Sequence, residues 1–437
     1  MDNEKQTSDA LDSLSQTLLF PRIFRTFRMA IQPSKMIIAF AAILIICLAG
    51  RVMDLSRTVV TAPDGATELQ VYFENPHNIQ NFVETNKENS EATGVFVTLW
   101  NFNRERFHHA LNSLFTFNLV GVAENISDCL RAITWAFQQH LLYCIVFFVI
   151  GLAVISVAGG AICRIAALQL AQGEKPGMTE SLAFAMKRFL SFFAAPLVPL
   201  GIIAFVGAFV ALLGLVGNIP RFGELMVGIL MPLVLLTAAL ITIVLIGAVA
   251  GFSLMFPAAA YDGSDCFDAV SRSFSYVYAK PWRMGFYTSL AAIYGAICYL
   301  FVRFFAWTLL IAAYVLLDVG IISGSAGTGK LTRIWTCPTF LGLLQTSTVA
   351  PANGTEWFAA LLIKLFVLAV IGLIVAFIMS FYFSASTIIY ALMRKTVDNT
   401  PLEDIYKTTE ETQTESSTPA ESRLSHGESE APPDNYE

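Results

Sequence analysis

The stretch Ser323-Gly-Ser-Ala-Gly-Thr-Gly-Lys330 offers the most specific chemistry in the chain, because Gly324 to Lys330 satisfies the G-x-x-x-x-G-K spacing of a phosphate-binding loop. That chemistry needs Ser or Thr directly after the lysine, where its hydroxyl ligates the magnesium that bridges the phosphates. Leu331 stands there, and Thr332 comes one place late. The segment also sits between two long apolar runs, not inside an alternating strand-helix domain. The expectation is a turn that ends a helix, with no nucleotide.

Carboxylates come next. Asp262, Asp265 and Asp268, with Glu174 and Glu180, could in principle gather a divalent cation. Their i, i+3, i+6 spacing does not share one narrow helical face, and no calcium-loop framework surrounds them. Capping of a helix start is the better account, with Ser264 and Asp265 as the capping pair. His108 and His109 are adjacent and so diverge on a helix, while His77 and His140 are remote in sequence, which gives no metal constellation. Seven cysteines lie scattered without a C-x-x-C pair, and whether Cys129 and Cys337 pair is left open by their spacing. No Ser-His-Asp order, H-E-x-x-H or G-x-S-x-G is present. These residues support no enzyme and no cofactor.

The elements that would position such groups are membrane helices. Of 437 residues 55% are hydrophobic and only 14% charged, against about 25% in an ordinary soluble domain. A helix needs about 20 apolar residues to cross a hydrocarbon core of about 30 Å. Runs of that kind place spans at 36–52, 141–168, 189–217, 225–256, 285–318 and 357–392. The fold expected is an all-α polytopic transmembrane bundle of six spans with interfacial amphipathic helices and a small extracytoplasmic helical cap. Its parts are a basic amphipathic N-terminal region (1–35), span one (36–52), the loop and cap (53–140), a five-span bundle (141–395) and a disordered acidic tail (396–437). The lipid bilayer is the partner this implies, beside a membrane protein or a second copy of the chain. Nucleic acid and nucleotide are not.

Six crossings put both termini on one side, and the excess of Lys and Arg falls on that side, which makes it cytoplasmic. Phe20, Ile23, Phe24, Phe27 and Ile31 form an apolar stripe before span one, with Arg22, Arg25 and Arg28 aimed at lipid phosphates. Leu182, Ala185, Met186, Phe189 and Phe193 form another, with Lys187 and Arg188 turned away. Trp282 and Arg283 mark the start of the fifth span. Arg303 lies about 30 Å further along at 1.5 Å per residue, and there it is expected to snorkel to headgroups. The helices of spans five and six then project past the bilayer, and the apolar segment 309–317 is expected to pack against the cap.

Three segments share one pattern: SDCLRAITWAF (127–137), TESLAFAMKRF (179–189) and SDCFDAVSRSF (264–274). Each opens on a hydroxyl and a carboxylate, so Ser127, Thr179 and Ser264 are expected helix caps. An ancestral duplication and a simple likeness among good caps both explain the match. Pro196, Pro199 and Pro232 are expected to interrupt spans three and four, where broken helices either line a solute path or only pack.

The run GFSLMFPAAAYDGSDCFDAVSRSFSYVYAKPWRMGFY, with its small-residue span, acidic cap, A-x-x-R-S-F core and Trp before the next span, resembles bacterial multi-pass families of unassigned function. It is also similar to the membrane domain found beside glycerophosphodiester phosphodiesterases. The likeness covers roughly residues 150 to 300, and the ending IIYALMRKTVDNTPLEDIY resembles the close of such chains. It implies a fold type and a bacterial inner-membrane location. No phosphodiesterase domain and no catalytic residue accompany it, so the role it leaves is structural, accessory or assembly, with transport of a neutral or lipid-like solute through spans three to five as the alternative.

Overall fold

The structure is a computed structural model that describes residues 20–56, 58–62, 66–86, 91–174, 176–320, 330–343 and 351–406. The polar residues 1–19, the glycine-rich stretch 323–329 and the acidic tail from Lys407 lie outside the described residues. The chain is an all-α helical bundle. Six of its helices are long and apolar enough to cross a membrane, which makes it a multi-pass membrane protein in contact with lipid.

A 3-10 turn (Phe20–Arg25) and the short α1 (Thr26–Ala30) lead into the first span, α2 (Pro33–Met53). Pro33 starts α2 at a position where its missing N–H costs nothing. A compact region follows. It holds β1 (Val59–Thr61), α3 (Glu68–Glu74), α4 (Ile79–Asn86), β2 (Glu91–Thr93) and the 21-residue helices α5 (Val95–Phe115) and α6 (Leu119–Gln139). β1 and β2 pair antiparallel, Val59 opposite Thr93. The second span is α7 (Leu141–Ala171). Two short helices, α8 (Met178–Lys187) and α9 (Phe189–Ala194), precede the third span, α10 (Leu197–Gly217). The remainder comprises α11 (Phe222–Asp262), α12 (Cys266–Ala279), α13 (Pro281–Gly320), the five-residue α14 (Lys330–Ile334) and α15 (Gly354–Val397).

The third span starts later than expected, at Leu197 instead of 189. Pro196 cannot donate a backbone hydrogen bond, so the chain breaks there and 189–194 becomes a separate helix. Pro232 and Pro257, by contrast, lie inside a continuous α11. Helices α11, α13 and α15 hold 41, 40 and 44 residues, so each is about 60 Å long or more at 1.5 Å per residue, twice the hydrocarbon thickness.

Phe20 packs edge-on to Phe286, five residues into α13, while the Tyr406 N–H donates to the Tyr261 carbonyl at the end of α11 (3.0 Å). The first and last described residues therefore share one end of the bundle, here termed the terminal end. The main core gathers where α2, α7, α11, α12 and α15 converge on α8 and α9. Close approach there requires small residues: a Cβ on Gly159 would sit 2.5 Å from the Phe383 ring, and one on Gly160 would sit 2.8 Å from Phe192.

Candidate functional site

Two regions of the bundle carry features that could do work: a network of charges at the terminal end and an apolar chamber above it. The network begins where α11 stops. Gly263, at φ +62°, takes the left-handed conformation that ends a helix. Asp265 then caps α12 by accepting from the Asp268 N–H at 2.8 Å. Asp268 and Arg272 pair one turn apart (3.0 Å), which aims Arg272 so that its Nη1 reaches Asp262 at 3.1 Å.

Asp262 is a buried carboxylate, its side chain 6% exposed. Besides Arg272 it meets Arg394 Nε at 3.3 Å and accepts from the Tyr390 hydroxyl. Arg394 turns its other nitrogens to Asp404, Nη1 on the carbonyl (2.5 Å) and Nη2 on the carboxylate (3.1 Å). Three further contacts fasten the same segment. The Tyr276 hydroxyl donates to Asp398 (2.5 Å), Lys280 to the Thr396 carbonyl (2.7 Å) and the Tyr261 hydroxyl to the Leu402 carbonyl. Burial, helped by the Asp398 carboxylate, pushes the Tyr276 phenol above its ordinary value, so it stays a donor. Of the residues expected to open a disordered tail, Thr396 and Val397 close α15 and 398–406 are a strap with Leu402 and Ile405 buried beneath it. Apart from Arg394 of the preceding α15, the side-chain donors that hold it come from α11 and α12, far back in the chain, and have no signature in the strap's own composition.

Arg188 was expected at the lipid surface. Instead it donates to the Gly263 carbonyl, and its guanidinium lies 4.7 Å from the Tyr406 ring centre. Arg164 is buried and donates to the Ala260 carbonyl (3.1 Å), covering the last turn of α11. Lys35, also buried, donates to the Gln169 side chain at 3.0 Å.

The chamber lies away from this end and is floored by α15. One cavity of about 580 Å³ is lined by α7 (Gly151, Leu152), α11 (Phe252, Phe256) and α15 (Tyr382, Phe383). A second, of about 410 Å³, is lined by α13 (Ala292, Gly295) and by α15 (Phe377, Tyr382). Both include Ser253 and Tyr382, so they meet along that line. α11 and α13 are joined through α12 and pack chiefly on α12 and α15 rather than on each other. Their separation leaves the space.

Helix α5 crosses the chamber as a beam, contributing Leu99 to the first cavity and Phe107 to the second. One end is fixed by Asp54, whose carboxylate accepts from the Phe96 and Val97 N–H groups (3.0 and 2.8 Å) and from the Tyr143 hydroxyl (2.8 Å). That is an N-cap supplied from the end of α2, some forty residues upstream. Gly94 leaves room for it, since a Cβ there would lie 2.0 Å from Asp54 Cγ.

The other end of the beam meets Arg303. This residue does not snorkel: it is 1% exposed and donates to the Phe340 carbonyl (2.9 and 3.2 Å), the Leu341 carbonyl (2.9 Å) and the Tyr299 hydroxyl oxygen (2.8 Å). His108 Nδ1 of α5 sits 2.9 Å from the same Leu341 carbonyl, and Phe115 packs on Phe340. A helix-borne guanidinium inside an apolar environment needs carbonyl partners, and the returning loop supplies them. Segment 309–317 likewise finds this loop and not the cap: Leu310 clusters with Leu343, and Tyr314 packs on Trp335.

The remaining expected anchors and caps are scattered. Arg25 and Arg28 are exposed and Arg22 half-buried beside α1, where Phe27 packs on Phe301 and Phe377. Lys187 and Arg283 are exposed, and Trp282 is 90% exposed. Ser127 is no cap, because it lies inside α6, which starts instead at Asn118 with its side chain accepting from the Gly121 N–H (3.0 Å). Thr179 is no cap either: it is the second residue of α8, after Gly177. Ser264 precedes the Asp265 cap, with its side chain buried. The three look-alike segments therefore do not share a helix start. Cys129 and Cys337 are free thiols. Among the described residues no three His, Cys, Asp or Glu side chains group as metal ligands.

No protein family, curated protein or solved structure was found to match the chain.

Proposed function

We propose that this protein acts by holding neighbours in the membrane, as a non-enzymatic structural, accessory or assembly component with both termini in the cytoplasm. The observation that carries the reading is the way its buried charges are spent. Asp262, Arg394 and Arg303, with the half-exposed Arg272, are each engaged with other side chains or with backbone carbonyls of the same chain, and what they secure is the strap and the loop 335–343. Ionisable groups that serve transport or catalysis in a membrane face a pathway or a substrate. The apolar face of α6, with Val120, Ile126 and Leu130 exposed, adds a surface suited to a neighbouring protein.

The cytoplasmic side follows from the Lys and Arg excess, and the bacterial inner membrane from the resemblance of residues 150 to 300. A second reading, a carrier for a neutral or lipid-like solute, is favoured by the apolar chamber, which borders the fourth and fifth spans and is closed by the second and sixth, with the third span outside it.

Two measurements on the full chain separate them. Chemical cross-linking in native membranes is expected to trap the protein in an assembly larger than one copy. Liposomes carrying the purified protein are expected to show no faster glycerol entry or lipid exchange than empty ones. A single-copy mass together with accelerated exchange would overturn the proposal in favour of the carrier.

A further inference from the structure

We propose that the chamber between α7, α11, α13 and α15 is a binding site for one long hydrocarbon chain of a membrane amphiphile. It holds whether the protein is a scaffold or a carrier, because it rests on the chamber's own shape and chemistry.

The occupant follows from the lining. Water needs two to four polar partners to remain in a cavity; the first cavity has two hydroxyl-bearing residues, Ser253 and Tyr382, and the second adds Thr288, Ser386 and Tyr299, whose hydroxyl is taken by Arg303, so the walls of both are chiefly apolar. Left empty, walls of Phe, Leu, Ile and Ala lose dispersion contacts on one side. Volumes of about 580 and 410 Å³ lie in the ordinary range of small-molecule sites, about 300 to 1,000 Å³. Peptide backbone would bring unsatisfied N–H and C=O groups into this environment. A hydrocarbon chain brings none.

Access is lateral. Most lining residues belong to spans, with Leu99, Phe107, Ile133, Ala136 and Phe137 added by α5 and α6, and the rim is exposed on both flanks of α11: Phe137, Phe148 and Phe252 on one, Ala292, Ala296 and Ile378 on the other. The neighbouring medium is therefore lipid. What separates the chamber from the general lipid annulus is enclosure. The beam α5 and helix α6 close one side and the packed floor of α15 closes another, so a chain inside meets protein on several sides where a chain on α10 touches one face only.

The pattern of exchange tests this. Full-length protein is reconstituted in phosphatidylethanolamine–phosphatidylglycerol vesicles containing a phospholipid with a mid-chain diazirine. It is then washed through mild detergent and irradiated, and the adducts are mapped by mass spectrometry. A parallel arm uses the diazirine free fatty acid. Peptides holding Phe252 and Tyr382 are expected to keep about tenfold more label than the α10 peptide holding Phe205 and Phe209, as a tighter-held ligand would. The arm that labels identifies the source of the chain.

Gly151→Trp with Ala292→Trp, which fill the two cavities, is expected to lower chamber label about tenfold. Gly201→Trp on α10, where a Cβ meets open space, is expected to leave it unchanged. Equal retention at α10 and the chamber would overturn the proposal, as would undiminished chamber label in the filled variant. If the filled variant does not elute as a single species, the wild-type ratio alone decides.

Discussion

Helices α7, α11 and α15 behave differently at two levels of the same bundle. Around Gly159 they close so tightly that a single Cβ would collide with the Phe383 ring, which also bounds the first cavity. One to two turns away, around Gly151, Phe252 and Met379, the same three helices, with α2, α5 and α6, line about 580 Å³. The residue types at the two levels are alike; the polar connections beyond them are not. At the terminal end Asp262, Arg272, Arg394 and Tyr390 draw α11, α12 and α15 together. At the chamber, among the described residues, no such clasp joins α11 to α13, and α5 lines the space with Leu99 and Phe107. In a bilayer, where lipid tails are as apolar as Leu, apolar contact gives helices little reason to close, so small residues and hydrogen bonds decide where they do.

That comparison can be broken at its strongest point. Asp262→Ala leaves Arg394 and Arg272 without their shared carboxylate, and removing one partner of a buried ion pair costs about 3–5 kcal/mol. The expected result is a large drop in the detergent-solubilised melting temperature and fast proteolysis within 398–406, and unchanged melting would show that the clasp does not close the terminal end. Arg303→Met comes next. It strips two carbonyls of a charged donor, each such bond being worth about 1.5–3 kcal/mol, and releases the loop that supports the far end of the beam. Limited proteolysis is expected to cut near Phe340 first, with the terminal end still protected.

The smallest effect is expected in the chamber. Gly151→Leu adds apolar volume at a site where a Cβ meets nothing within 4 Å, and substitutions away from packed features stay within about ±0.5 kcal/mol. A melting temperature shifted as far as that of Asp262→Ala would mean that the chamber is packed shut in solution, and the contrast between the two levels would disappear.

Particular residues show where reading the sequence stopped. Asp265 stands before a Phe- and Val-bearing helix with Asp268 three places on, and that local signal is enough to place a cap. Ser127 and Thr179 carry the same signal and fail, because Asn118 and Gly177 start those helices earlier. Arg303 was located by its depth along a helix, but depth says nothing about which loop returns to it. Asp54 follows directly on α2, and nothing in its own neighbourhood marks it as a cap. Its role depends on α5 arriving forty residues later with two free N–H groups.

What the sequence by itself determined is that this chain crosses a bilayer with six helices, since the length and apolarity of a segment alone fix whether water or hydrocarbon solvates it. Only the tertiary structure decided which buried charges meet, that residues 398–406 form a strap, and that α11 and α13 stand apart over a chamber. Those outcomes depend on partners far apart along the chain, and the helical period that reveals a span carries no information about which distant helix its polar groups will find.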